Sequence, residues 1–333
     1  MHLLLPSSLR SWSQFYLELA QLTRAGFNAI DAFKKAGLSN PSTEVKIIAA
    51  LISTNLKLGK SIEQVMHRVS DQMPALDRAL IISGFRSGRT EQSFDKLSIH
   101  YEQLAHFRGK LIQQLSYPVI LAHLAIFTFP SSAYEIAMKF GLFAFLKLKL
   151  WPLFLLWVSL IGPFFLLAQK QDSQLRRLFE DLTDHLPVYG KAKKLASLSR
   201  FCLSLEGLSA AGFTPKESWP LAADASGDQE IQDCVKQILP RLNSGKSLSD
   251  SLPTPGPFPA EFVGQLNTAE ISGQLQDTFK RLANYYAELA NSKMQIVSEW
   301  LPRIIYMIVM ISVAYNMIQG TLNSLEQINK IIQ

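Results

Sequence analysis

Cysteine is nearly absent from this 333-residue chain, which has two, Cys202 and Cys234. Without histidine neighbours they make neither a zinc site nor a disulfide framework, and they read as reduced, partly buried thiols. Charge is also sparse, at 18% of residues against roughly 25% in an average soluble domain. It is missing altogether from three windows, Leu111 to Phe129, Leu150 to Ala168 and Ile304 to Leu325. A spanning helix needs about 20 mostly apolar residues, and buried core helices rarely run that long uncharged, so the windows read as transmembrane helices. With no acidic residue inside them, an intramembrane aspartyl protease is excluded. The six histidines form no His-Glu-x-x-His pattern or other paired ligand motif. His123, inside the first window, is the intramembrane ionisable group to follow. The opening Met-His-Leu-Leu-Leu-Pro has no basic region and does not read as a cleaved leader. No interleaving of aromatic and basic residues suggests a nucleic-acid surface. The residues point to no catalytic group, cofactor or metal.

The chain does contain a long internal repeat. Phe15 to Phe27 and Phe201 to Phe213 share Phe, three Leu, Ala, Gly and Phe at an offset of 186. The same offset aligns Gly59-Lys60-Ser61 with Gly245-Lys246-Ser247. After a one-residue gap, Gly88, Phe94, Leu97, Tyr101, Leu104 and Ala105 meet Gly273, Phe279, Leu282, Tyr286, Leu289 and Ala290. So long a period excludes a solenoid and indicates a duplicated domain. Phe15, Leu19 and Leu22 fall on one helical face. Gly26 and Gly212 follow that helix where a left-handed residue is expected. Thr214-Pro215-Lys216-Glu217 then has the form of a capping box with Pro at N1, and Asn28 and Asp31 hold the matching places.

The two Gly-Lys-Ser turns invite a nucleotide-binding reading. A phosphate-binding loop needs Gly five positions before the Gly of the Gly-Lys pair, where Thr54 and Pro240 stand, and no apolar strand precedes either turn. Capping accounts for every residue: a helix ends at Gly59 or Gly245, and Ser61 or Ser247 starts the next, with Gln64 or Asp250 at N3. Gly26, Gly59, Gly88, Gly212, Gly245 and Gly273 are therefore structural turns. Candidate partner contacts are Arg86 and Arg89 at the third block of copy one, Glu270 at the matching turn of copy two, and Asn316. Asn316 is an amide within the last apolar window, of the kind that bonds another helix in lipid.

These features give an all-α integral membrane protein. The expected order is a short segment 1–12, a helical domain 13–110, a span 111–129, an external segment 130–149, a span 150–168, a linker 169–196, a second helical domain 197–300, a span 301–325 and a tail 326–333. Two spans separate the domains, so both lie on one side. That side carries Lys96, Arg108, Lys110, Lys170, Arg176 and Arg177 near the first two spans, against Lys139, Lys147 and Lys149 opposite, and the positive-inside rule makes it cytoplasmic.

The duplicated domain, the Phe-x-x-x-Leu-x-x-Leu-x-x-Ala-Gly-Phe start at Phe15, the Gly-Lys-Ser turns and the three spans together resemble the type II secretion system F family, over about residues 13–325. The resemblance implies a non-catalytic, multi-pass platform protein of the inner membrane. It would serve type II secretion or type IV pilus assembly by coupling a cytoplasmic hexameric ATPase to pilin or pseudopilin subunits. Other inner-membrane assembly proteins, membrane lipid and further copies of the chain would be partners, and nucleic acid would not. The family's Gly-Glu-x-x-Gly stands as Ala269-Glu270-Ile271-Ser272-Gly273 in copy two and as Gly84-Phe85-Arg86-Ser87-Gly88 in copy one, so the acidic position is unpaired. The alternative is a membrane receptor or anchor whose duplicated domain binds another cytoplasmic partner.

Overall fold

The computed structural model describes residues 6–128, 188–244, 246–253 and 255–332, with isolated positions between 138 and 158. Within them the chain is helical, and the helices fall into two matching series of six. The first is α1 (Pro6–Arg24), α2 (Ala29–Ser39), α3 (Thr43–Lys57), α4 (Ile62–Arg68), α5 (Ala75–Ser87) and α6 (Thr90–Thr128). The second is α7 (Tyr189–Ala210), α8 (Pro215–Ser226), α9 (Gln229–Asn243), α10 (Leu248–Ser251), α11 (Ala260–Ser272) and α12 (Leu275–Ile332). The offset of 186 maps α3 onto α9 end to end, and 185 maps α5 onto α11 in the same way. The missing residue falls around α10, which has 4 residues where α4 has 7.

Local chemistry sets the helix ends. The α1 and α7 helices close identically: Phe27 N and Gly26 N donate to the carbonyls of Leu22 and Thr23, as Phe213 N and Gly212 N do to Leu208 and Ser209. This closure needs a left-handed residue, and Gly26 and Gly212 have φ of +82° and +74°. Gly59, Gly88 and Gly273 also have positive φ, while Gly245 lies outside the described residues. At the helix starts, Asn28 accepts from Asp31 N at 2.9 Å. Ser61 and Gln64 form a reciprocal box, Ser247 accepts from Asp250 N, and Glu217 accepts from Thr214 N and Oγ1, both at 2.9 Å.

The described residues divide into two compact units, one drawn from 2–106 and 186–294, the other from 107–185 and 295–333. The first, the repeat unit, has two hydrophobic cores. Trp12, Phe15, Tyr16 and Leu19 of α1 pack with Phe33, Val45, Ile52, Leu80, Phe94 and Leu97. Phe201, Leu205 and Leu208 of α7 pack with Trp219, Val235, Phe262 and Phe279. Gly37 lets α2 press on α3, since a Cβ built there would stand 2.5 Å from that of Ala49. In the second unit, Tyr117 and Tyr306 stack with ring centroids 6.4 Å apart. His123 Nδ1 bonds the carbonyl of Val119, one turn back on α6, at 2.7 Å, and its ring meets Trp157 edge-on.

Among the described residues one helix is long and apolar enough to cross a membrane, the stretch Leu275–Leu322 of α12, and its apolar window is almost wholly exposed. The first uncharged window lies on α6, which is unbroken from Thr90 to Thr128. Most of the second, 150–168, lies outside the described residues.

Candidate functional site

Inside the repeat unit the copies meet through α5, which lies against α7 and α8. Gly207 makes the approach possible: a Cβ there would stand 2.9 Å from Ser83 Oγ and 3.2 Å from Leu80 Cδ2. Three charged contacts surround this point. Lys96 pairs with Glu206, whose side chain is 9% exposed. Arg78 reaches Asp224 at 3.4 Å. The Arg86 guanidinium lies 3.9 Å from the centre of the Phe213 ring, a cation–π contact. Arg200 of α7 donates to the Ser226 carbonyl, and burial pulls its pKa down to about 10. Burial, then the neighbouring Arg200 charge, lowers His100 to about 4, so this histidine is neutral at physiological pH.

Sequence reasoning missed the other notable group. Asp77 precedes Arg78 on α5 but turns into the first core, where it is 1% exposed. Tyr16 Oη and Tyr101 Oη both donate to Asp77 Oδ2, at 2.5 and 2.8 Å. Trp12 lies over both rings, with centroids 5.7 and 6.0 Å away. Asp77 Oδ1 and Trp12 Nε1 have no protein partner. Burial pushes Asp77 up to about 7, with the two tyrosine bonds and then Arg78 pulling the other way. The only sequence signal was an Asp-Arg pair within an otherwise apolar stretch. In the second repeat Cys202, Phe262 and Tyr286 take the places of Tyr16, Asp77 and Tyr101, so the fold itself does not require the carboxyl. Sealed from solvent, this group suits a proton-linked structural role better than ligand contact.

The candidate contact residues do not converge. Arg86 is engaged with Phe213, and Arg89 is exposed at the same turn. Glu270 accepts from Leu248 N at 2.7 Å and from Ser249 N at 3.2 Å, tying α11 to the start of α10; Phe85, its counterpart, packs against the first core. Asn316 lies within α12, between the exposed side chains of Tyr315 and Met317. An open groove of about 320 Å³ between α2 and α3 is lined by Lys34, Lys46 and Lys57 with Ile30, Leu38 and Ser53. The second repeat has Pro220, Gln232 and Asn243 in place of the three lysines. Among the described residues no three His, Cys, Asp or Glu side chains gather as a metal site, and both cysteines are free and buried.

A family model described as type II secretion system (T2SS), protein F matches residues 15–133 and again 201–318, once over each of the two series of helices. Type II secretion system protein F of Aeromonas hydrophila is 22% identical over 284 residues, covering 80% of this chain and 73% of that protein. Type IV pilus assembly protein PilC of Pseudomonas aeruginosa is 20% identical, covering 82% and 78%. Type 4 fimbrial assembly protein PilC of Pseudomonas putida is 25% identical, covering 82% and 73%. Twice matched across its duplicated series of helices, the chain belongs to the T2SS protein F family.

Proposed function

We propose that this chain is an inner-membrane platform that couples a cytoplasmic ATPase to the assembly of pilin-like subunits. Family membership implies a role in type II secretion or type IV pilus assembly. The observation that carries the finer reading is the duplication of a charged helical domain with a long apolar stretch after each copy, at 111–129 and 304–325. A third apolar window separates the copies, so three spans leave both domains on one side, and the lysines and arginines beside the first two spans favour the cytoplasm.

Such a protein transmits force between partners and performs no bond chemistry. It needs stiff domains, charged surface for a soluble partner and apolar helices for membrane partners. The paired cores supply the first, and the lysine groove of α2 and α3 suits an acidic segment of the ATPase. Arg89 is exposed to a soluble partner, whereas Arg86 and Glu270 have partners within the chain. Asn316 is assigned to helix–helix contact with pilin-like subunits by its place in the last window. Deleting the gene should abolish surface filaments or secretion of exported proteins, with the ATPase and pilin still made, and the intact gene should restore them. Normal filaments and secretion in the deletion strain would overturn the reading.

A further inference from the structure

The contact between the two repeats is not symmetric. Helix α5 of the first repeat meets α7 and α8 of the second, and the counterparts of these surfaces, α11 on one side and α1 with α2 on the other, are left open. At the offsets of 185 and 186 each contact residue has a counterpart on the open surfaces. Arg78 and Asp224 become Val263 and Leu38. Arg86 and Phe213 become Ile271 and Phe27. The cross-repeat ion pair and cation–π contact are thus replaced, pair for pair, by two apolar contacts. Ile271 is 81% exposed, Leu38 70% and Phe27 38%, and Leu17 of α1, the counterpart of Leu203 that packs against both cores, is 44% exposed. Large apolar side chains left this open at matched positions mark an interface rather than a solvated face.

We propose that α11 of one chain docks on the α1–α2 surface of a second copy, repeating between chains the head-to-tail packing that joins the repeats within one. Gly264 and Thr268, which correspond to Ala79 and Ser83, give α11 a shallow centre, and a Cβ at Gly264 would meet nothing within 4 Å. The second pairing is wider than the first, because Gln21 stands where Gly207 admits α5, and its amide faces Gln265 in place of Leu80. Ile271 takes over the ring of Phe27, displacing Lys35, whose Nζ lies 4.1 Å from its centre. Apolar pairing between chains and polar pairing within them keep the two contacts from exchanging partners. A heterologous contact of this kind builds rings or lines rather than closed two-fold dimers.

The test uses the full chain in native membranes and in mild detergent. Chains carrying Phe27→Cys and chains carrying Ile271→Cys, differently tagged and co-expressed, should form a mixed disulfide dimer on oxidation. Either variant alone, like the native chain with its buried thiols, should stay monomeric on a non-reducing gel. Ile271→Asp, at a position too exposed to unfold the domain, should raise the dissociation constant of the detergent-solubilised oligomer at least tenfold, read by light scattering. Failure of the mixed pair to cross-link, cross-linking of Ile271→Cys to itself, or an unchanged oligomer mass with Ile271→Asp would overturn the proposal.

Discussion

At the scale of single residues, Asp77 is the least ordinary group described. Its carboxyl binds a proton in the folded chain up to about pH 7, whereas an unfolded aspartate releases its proton near pH 4. The folded state therefore holds more protons between those values, and stability falls as pH rises through that window, by up to about 1.4 kcal/mol per pH unit. The stabilisation is fully present below about pH 4 and is lost as pH passes 7. Replacing Asp77 with Asn should flatten the slope between pH 4 and 7 in thermal melts of the detergent-solubilised protein; an unchanged slope would assign it to other groups. Glu270 acts locally. Its carboxylate satisfies two amides at the start of α10, so Glu270→Ala should cost about 1–2 kcal/mol by denaturant unfolding and leave Asp77 titration unaltered.

At the scale of helices, the boundaries marked by capping residues were legible in the sequence. Asn28, Ser61, Thr214 and Ser247 stand at helix starts and Gly26, Gly88, Gly212 and Gly273 at helix ends, because capping chemistry is local. The first Gly-Lys-Ser turn is a cap, with Gly59 left-handed, Ser61 starting α4 and Lys60 Nζ bonded to Asn55 Oδ1 at 2.7 Å; in the second, Ser247 caps α10. What the sequence does not reveal is which helix meets which. The groove at Gly207 that admits α5 and the partners of Asp77 depend on residues tens to more than a hundred positions apart, and no periodic pattern records such pairings. These contacts yield two predictions. Gly37→Ala should destabilise the protein by about 1–3 kcal/mol, because its methyl would collide with Ala49 on α3. Glu206→Ala, which strips a mostly buried partner from Lys96, should cost about 1–3 kcal/mol. Faster amide hydrogen exchange in α5 and α7 than in α9 would locate that loss at the junction of the repeats, and uniform exchange would contradict it.

At the scale of the whole molecule, duplication has produced two related scaffolds with different surfaces. The first repeat keeps the buried acid and the lysine groove; the second has Phe262 and uncharged residues at those places. Reversing Lys34, Lys46 and Lys57 to Glu should weaken co-purification of the assembly ATPase about tenfold or more, with membrane insertion intact, whereas equal recovery of the ATPase would move its contact elsewhere. The account as a whole requires both scaffolds to share one compartment. Single cysteines placed at the exposed positions Glu63 and Lys246 and probed with a membrane-impermeant maleimide test this most directly. Both sites should be silent in intact cells and labelled once the inner membrane is opened; labelling of either in cells whose inner membrane is intact would contradict the account.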